Sequence, residues 1–138
     1  MFGYKVELDA SGPTVIVTFP DFPEAGTEGP TEAEAMVYSA GALEEVIAAR
    51  FSDREDVPEP YEVTGKGVDI SFQTEIKVTL YNEMRRQKKR KADLAKALGW
   101  NQKQVDRLLD LNHASRIELI ESALRALGKR IDIRLRSV

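Results

Sequence analysis

The chain of 138 residues, 42% hydrophobic and 31% charged, can bury one moderate core or two small ones, and no run approaches the roughly 20 apolar residues of a membrane span. It has no cysteine and one histidine, His113, which excludes disulfides, thiolate sites and histidine-rich metal sites and argues against a Ser/His triad. The net charge of −3 is unevenly divided, because residues 1–80 carry five Lys+Arg against sixteen Asp+Glu, or −11, and residues 81–138 carry fifteen against seven, or +8.

This division of charge predicts two parts with different partners. The basic part suits phosphate contacts, and the acidic part would repel DNA and attract a basic protein, although solubility alone is an alternative for the acidic part. Lys5, Glu7 and Asp9 interrupt any signal-like start, so we expect a cytoplasmic protein without a membrane partner.

The first thirty residues predict a β-hairpin followed by a loop. Residues 4–8 alternate between apolar and polar, residues 10–13 are turn formers, and residues 15–19 are a β-branched run. Prolines and glycines interrupt residues 19–30, FPDFPEAGTEGP, for which we predict a loop with at most a short strand near residues 25–28.

A long helix and a returning strand complete a predicted N-terminal domain over residues 1–72. Thr31 and Glu34 form a capping box that opens a helix to about Arg50, with Ser39 facing water. Its apolar positions recur at steps of three or four and should cover the sheet: Ala33, Met36, Ala40, Leu43, Ile47 and Phe51. Residues 52–67 are predicted to be irregular and residues 68–72 to form a strand, which makes a compact α+β domain.

The predicted C-terminal domain, residues 73–138, begins with a helix that runs into a basic segment. Residues 85–91, RRQKKRK, are basic at six of seven positions. Cations at a helix C-terminus are favoured by the helix dipole, but the run is longer than a cap requires. It therefore favours contact with a DNA backbone.

Residues 91–110 carry the spacing of a helix-turn-helix. One apolar stripe stops at Gly99 and a second begins just after it, and Ala95 is small enough for the point where two helices touch. Asn101 and Gln104 can cap the second helix, which in such motifs enters the DNA major groove. An ordinary antiparallel helix pair needs the same packing, and the basic charge favours the DNA-binding interpretation.

The remaining residues predict one more helix and a terminal strand. Ser115 and Glu118 form a capping box, and Gly128 ends the helix. Residues 129–138, KRIDIRLRSV, alternate, and a single strand needs a partner. We expect it to pair with the same strand of a second copy through Ile131, Ile133 and Leu135, giving a homodimer or homotetramer with two recognition helices about one DNA turn apart. Pairing with the N-terminal sheet is the alternative.

Residues 14–43 resemble the signature of the HicB antitoxin family, which is a strand, an Asp-apolar-Pro loop, a Thr-x-Gly step and a Thr-initiated helix rich in Glu and Ala. In this sequence the signature reads Asp21-Phe22-Pro23, Thr27-Glu28-Gly29, and Thr31 with Glu32, Glu34 and Ala35. The resemblance covers essentially the whole chain, since one branch of that family carries a C-terminal helix-turn-helix similar to residues 91–110 and a following segment similar to residues 111–129.

The resemblance implies an N-terminal partial ribonuclease-H-like domain that lacks the nuclease's metal site and neutralises HicA, a small basic toxin that cleaves mRNA. It also implies a C-terminal domain that represses the operon encoding both proteins. The toxin-binding residues it suggests are Asp21, Phe22, Pro23, Glu24 and Glu28. The family loop often has glycine where Glu24 stands, which leaves the turn geometry of this loop open.

The helix-turn-helix would divide its DNA contacts between base reading and backbone binding. Gln can bond adenine at two points, Arg or Lys can bond guanine, and Asp can accept from cytosine. We therefore expect base reading by Gln102, Lys103, Arg107 and Asp106, and backbone contacts by Lys88, Lys89, Arg90, Lys91, Trp100 and Asn101, although Asn101 also serves as a cap and Trp100 is a packing candidate.

No catalytic residue, metal or cofactor is expected. His113 has no second histidine or cysteine beside it, and the acids that could imitate a two-metal nuclease are scattered along the chain: Asp9, Asp21, Asp69 and Glu75. The function predicted is an antitoxin that represses its own operon. The alternative is a free-standing helix-turn-helix regulator whose N-terminal domain senses a ligand or assembles oligomers.

Overall fold

The computed structural model describes residues 1–138 as two compact units, residues 1–71 and residues 72–138. The first, here called the N-terminal unit, carries four Lys+Arg against fifteen Asp+Glu, a net charge of −11. The second, the helical unit, carries sixteen against eight, a net charge of +8. Together they give the mixed α+β fold expected from the sequence, and none of the helices is both long and apolar enough to cross a membrane.

The N-terminal unit contains two three-stranded antiparallel sheets. Their orders are β5-β1-β6 and β2-β3-β4, with the strands β1 (Phe2–Lys5), β2 (Glu7–Asp9), β3 (Val15–Phe19), β4 (Phe22–Gly29), β5 (Tyr61–Glu62) and β6 (Gly67–Asp69). The run of residues 2–9 passes from one sheet to the other at Val6, whose N–H donates to the Lys66 carbonyl (3.1 Å). The predicted hairpin is confirmed, with Leu8 opposite Val17.

Strand β4 is eight residues long, and it includes residues 25–28, where at most a short strand in a loop was predicted. It lies at a sheet edge and pairs only with β3, so Pro23 removes no ladder hydrogen bond from a central strand. The pairing shifts register between Thr18 and Phe19, and this irregularity accommodates the tight turn at residues 20–21. The prolines and glycines of residues 19–30 therefore mark an irregular edge strand.

Helix α1 (Glu32–Asp53) packs on β4 and β3. The predicted N-terminus is confirmed, because the Thr31 hydroxyl accepts from the Glu34 N–H (3.2 Å). The predicted apolar face is only partly correct, since Ala33 and Ala40 are exposed and the buried face comprises Ala35, Ser39, Leu43, Val46 and Ile47. Ser39 can be buried because its hydroxyl donates to the carbonyl one turn earlier, at Met36 (2.5 Å).

A short strand and an earlier helix start correct the predicted end of this unit. Residues 61–62 form β5 inside the segment expected to be irregular. Strand β6 ends at Asp69 and Phe72 opens the next helix with an exposed side chain, so residues 68–72 do not form one strand. Two turn residues separate the two elements, and alternation over five residues could not place that boundary.

The helical unit contains α2 (Phe72–Arg86), α3 (Lys91–Leu98), α4 (Gln102–Leu108) and α5 (Ile117–Ala126) around one apolar core. The break between α2 and α3 falls at residues 87–90, where the Asp93 carboxylate accepts from the Arg90 N–H (2.8 Å). An acid three residues into a helix is half of a capping box, and this signal was available in the sequence.

Ser115 does not cap α5 as predicted, because its hydroxyl donates to the Arg107 carbonyl (3.2 Å) and the helix begins at Ile117. Neither sheet includes residues 129–138, so the alternative pairing with the N-terminal sheet is wrong. Within one chain these residues form no strand, and their pairing with a second copy stays a prediction. Ile131 packs against the helical core, whereas Ile133 and Leu135 are 81% and 92% exposed.

Candidate functional site

Helices α3 and α4 meet across the tight turn that the sequence predicts. Gly99 ends α3 at φ 68°, the left-handed conformation that glycine adopts without strain, and Ala95 is buried beneath the turn. The Asn101 and Gln104 side chains each accept from the other residue's backbone N–H (both 2.9 Å). The N-terminus of α4 is therefore fixed by a reciprocal cap, and Asn101 is engaged in it.

One face of α4 is turned outward with two cations on it. Lys103 and Arg107 are four residues apart and exposed, opposite the buried Val105 and Leu108. They lie where a reader of base edges would need them.

The other two predicted base readers are engaged on one flank of α4. The Asp106 carboxylate lies 3.1 Å from the Lys91 ammonium and accepts from the Gln102 amide at 3.5 Å. The structure thus pairs Asp106, predicted as a base reader, with Lys91 of α3. This ion pair offsets the negative charge of Asp106 beside Lys103 and Arg107.

A basic concavity of about 310 Å³ lies beside Arg107. Its lining includes Trp100, His113 and Arg116, and its floor includes the buried Leu108. Trp100 is half-buried against the helical core, so its main role is packing. Arg116 was not among the predicted contacts. The one signal for it in the sequence is its position shortly after the turn that follows α4.

The basic run divides into two groups. Arg85 lies over the Tyr81 ring (5.8 Å) and Arg86 pairs with Glu83 (2.6 Å), so both are engaged within α2. The following Lys88, Lys89 and Arg90 are exposed in the turn between α2 and α3. These three have the accessibility that backbone phosphate contact requires.

In the N-terminal unit, a buried aromatic contact fixes the loop predicted to bind the toxin. Phe22 is 0% exposed and packs edge-on against Tyr4, with ring centroids 5.0 Å apart. The Phe22 ring is therefore part of the core in this conformation, and its predicted toxin contact stays a prediction. Its neighbour Pro23 is exposed. Asp21 accepts from the Tyr61 hydroxyl (2.6 Å).

Arg50 of α1 organises this loop. Its guanidinium makes two bonds to the Glu24 carboxylate (2.7 and 2.8 Å) and donates to the Asp56 carbonyl (2.9 Å), with its central carbon 4.6 Å from the Phe22 ring centre. These bonds lower the pKa of Glu24 to about 2. Arg50 thus neutralises the charge of Glu24, the residue whose effect on the loop geometry the sequence left open.

The outward face of the sheet β2-β3-β4 is open and acidic. Cross-strand pairing places Asp9 and Glu28 on either side of Ile16, and Glu7 beside Thr18. Directly opposed residues in antiparallel strands share a face, and all five side chains are at least partly exposed on the side away from α1. Glu28 was predicted as a contact, while Glu7 and Asp9 were missed although their alternation around Leu8 indicates an outward face.

No group of three or more His, Asp or Glu side chains in residues 1–138 is arranged to hold a metal ion. The four acids considered for two-metal chemistry lie on separate elements: Asp9 in β2, Asp21 in the turn before β4, Asp69 in β6 and Glu75 in α2.

Comparison with known proteins gives consistent matches over the N-terminal unit and over the whole chain. Residues 1–79 match the family model described as HicB_like antitoxin of bacterial toxin-antitoxin system. The chain is 35% identical over 129 residues to Antitoxin HicB 2 of Photorhabdus laumondii, covering 94% of this chain and 91% of that protein. It is 34% identical over 139 residues to Antitoxin HicB of Pseudomonas fluorescens (95% and 92% covered) and 32% identical over 120 residues to Antitoxin HicB of Escherichia coli K12 (86% and 87% covered).

Proposed function

Because the chain belongs to the HicB-like antitoxin family, we propose that it neutralises a HicA-type toxin through its N-terminal unit and represses its own operon through its helical unit. The observation that carries this proposal is the division of charge into −11 on the first unit and +8 on the second. Opposite charges on separately folded units suit two partners of opposite charge, a basic protein and DNA. Both activities are binding, so we propose no catalytic step.

The open acidic face of β2-β3-β4 is the surface we propose for toxin contact. Glu7, Asp9 and Glu28 surround an exposed Ile16, which combines charge with an apolar centre. A basic RNA-binding surface that docks on these carboxylates would be withheld from its substrate by competition. Pro23 and Glu24 can extend the contact at the N-terminal end of β4, where both are exposed, while Asp21 and Phe22 shape the loop.

The outward face of α4 is the surface we propose for operator reading. Lys103 and Arg107 would contact base edges, and Lys88, Lys89 and Arg90 would contact backbone phosphates. The concavity beside Arg107, with His113 and Arg116 on its lining, can receive a further backbone phosphate. Lys91 is paired with Asp106 and would add to the positive electrostatic field of the basic run, residues 85–91.

Co-expression with the product of a neighbouring reading frame tests the toxin half. We expect the chain to restore growth and to co-purify with that small basic protein. Glu28→Lys together with Glu7→Lys should weaken capture at least tenfold, because each reversal replaces attraction by repulsion across the interface. The matched control is Glu45→Lys on the exposed side of α1, which should capture normally. Equal capture by all variants would remove the sheet face from the proposal, and failure of the wild type to form a complex would defeat the antitoxin role.

Operator binding tests the DNA half. Arg107→Ala should weaken binding to the operator by about 1–3 kcal/mol while leaving random DNA nearly unaffected, because base contacts carry the sequence preference. Lys89→Ala should weaken both and flatten the salt slope by about one, because it loses one phosphate contact. Equal losses on both DNAs for Arg107→Ala would remove its base-reading assignment.

A further inference from the structure

Lys77 of α2 is a fully buried lysine, with 0% of its surface exposed. Its ammonium donates to three backbone carbonyls, those of Arg107 (3.1 Å), Asp110 (2.7 Å) and His113. An ammonium has three N–H groups, so each has a partner. Burial lowers the pKa of Lys77, and the nearby Asp110 carboxylate opposes that effect.

The three carbonyls belong to the end of the proposed recognition helix and to the turn that follows it. Arg107 is in the last turn of α4, and the residues from 109 to 116 connect α4 to α5. The last carbonyls of a helix have no partner within the helix and carry its partial negative charge. The Lys77 ammonium adds a charged donor and the opposite charge at this end of the helix.

A second side chain of α2 holds the same segment. Gln73, one turn before Lys77, donates to the Ser115 carbonyl (2.7 Å) and accepts from the Ser115 N–H (3.1 Å). The Ser115 hydroxyl in turn donates to the Arg107 carbonyl (3.2 Å). Gln73 and Lys77 lie on one face of α2, and they fix both ends of the segment 107–115.

Helix α4 needs such an anchor because it is only seven residues long. A helix of this length is marginal by itself, and its placement depends on tertiary contacts. The cap formed by Asn101 and Gln104 fixes the N-terminal end, and Lys77 fixes the C-terminal end beside Arg107. An apolar side chain could fill the same volume, but it would remove a charged donor from all three carbonyls, leaving the Arg107 carbonyl with the Asp110 N–H and the Ser115 hydroxyl and the Asp110 carbonyl with the His113 N–H.

We propose that Lys77 is a positioning residue for DNA recognition: its buried ammonium, supported by Gln73, holds the C-terminal end of α4 in the orientation that reading the operator requires, without itself touching DNA. This inference rests on the proposed operator-binding function. Misplacing a contact group by about an ångström can cost about a hundredfold in systems that depend on orientation, so the effect of Lys77 on specific binding should be large.

The test compares Lys77→Met with wild type for binding to operator and to random DNA across a range of salt. We expect Lys77→Met to lose at least about tenfold in operator affinity, while random-DNA affinity and its salt slope stay unchanged because phosphate contacts remain. The matched control is Lys89→Met, which should weaken both DNAs together. A purely structural role for Lys77 would instead lower the folded fraction and reduce both affinities by one factor, leaving their ratio intact.

Gln73→Ala keeps the test decisive if Lys77→Met does not fold. Gln73 is half-buried, so its removal is milder and should lower the ratio of operator to random-DNA affinity about threefold, with faster amide exchange at Ser115. An unchanged ratio in the folded variants would overturn the positioning role. Failure of wild type to prefer any operator over random DNA would instead overturn the proposed repressor function, so the two failures are distinguishable.

Discussion

Each unit of this molecule uses one shielded cation to hold a segment proposed to bind a partner, but the two cations bind different groups. Arg50 of the acidic unit, whose side chain is 14% exposed, binds a carboxylate, while Lys77 of the basic unit binds only carbonyls and is fully buried. A carboxylate partner can be removed by protonation, whereas a carbonyl cannot. The loop at Glu24 should therefore respond to acid, and the end of α4 should not.

The two cations also differ in what they do to the charge of their surfaces. Arg50 neutralises Glu24 and leaves the acidic sheet face, with Glu7, Asp9 and Glu28, as the charged surface of the N-terminal unit. Lys77 binds backbone carbonyls, so its charge removes no carboxylate from the surface of the helical unit. Arg50 therefore changes the surface charge of its unit, whereas Lys77 does not.

Phe22→Ala should have the largest effect and tests whether the buried Phe22 ring fixes the loop of the N-terminal unit. Truncating this fully buried ring beneath Arg50 should lower the free energy of unfolding of the N-terminal unit by about 3–5 kcal/mol. Hydrogen exchange of residues 1–71 measures the loss, while fluorescence of Trp100, the only tryptophan, reports on the helical unit and should stay unchanged. Pro23→Ala, at the exposed neighbour, is the control. Normal stability with lost toxin capture would return Phe22 to the contact residues.

Arg50→Met should have the next largest effect, a loss of about 2–3 kcal/mol, because it leaves a partly shielded carboxylate and a carbonyl without their donor. Urea unfolding, monitored by hydrogen exchange, measures this loss of stability. The control is Arg125→Met, which removes an exposed arginine 3.9 Å from Glu121 and should cost less than about 0.5 kcal/mol. Similar losses for the two variants would show that Arg50 is an ordinary surface arginine.

Local signals in the sequence predicted much of this structure. Thr31 with Glu34 placed the start of α1, and Gly99 with Asn101 and Gln104 placed the turn between α3 and α4, because caps and positive φ angles depend on residues only a few positions apart. Strand β4 was predicted at most as a short strand near residues 25–28, because Pro23 reads as a breaker until the strand is known to lie at an edge.

The parts that could not be predicted depend on residues far apart in sequence. Arg50 and Glu24 are 26 positions apart, and Lys77 lies 30 or more from its three carbonyls. A lysine in a helix ordinarily faces water, so nothing local marks Lys77 as buried. Burial of the cation and the identity of its partners follow only from the packing of α2 against the segment after α4.

Glu24→Gln sharpens the contrast between a carboxylate and a carbonyl partner. Arg50 lowers the pKa of Glu24 from an ordinary 4.5 to about 2, so the ion pair stabilises the folded unit fully above the ordinary value and loses its contribution as pH falls towards about 2. Because Glu24 is 45% exposed, solvent screening reduces the expected difference between wild type and variant at pH 7 to about 1 kcal/mol. Unfolding measured from pH 7 to 2 should show this difference disappearing. In an Arg50→Met background the substitution should change little at any pH, and a persistent difference there would assign the effect to another partner.

Ile133→Ser combined with Leu135→Ser should have the smallest effect on folding and tests whether the tail of the helical unit joins two copies. Both side chains are exposed, so the free energy of unfolding of one chain should change by less than about 0.5 kcal/mol. Ile131→Ser is the control, since Ile131 packs against the helical core and its loss should cost about 1 kcal/mol.

If tail strands pair between copies, sedimentation should show the double variant as a monomer. The operator affinity should also fall, because two half-sites are no longer bound together. A double variant that sediments as wild type does would place the contact between copies elsewhere, and Ile133 and Leu135 would then be ordinary surface residues.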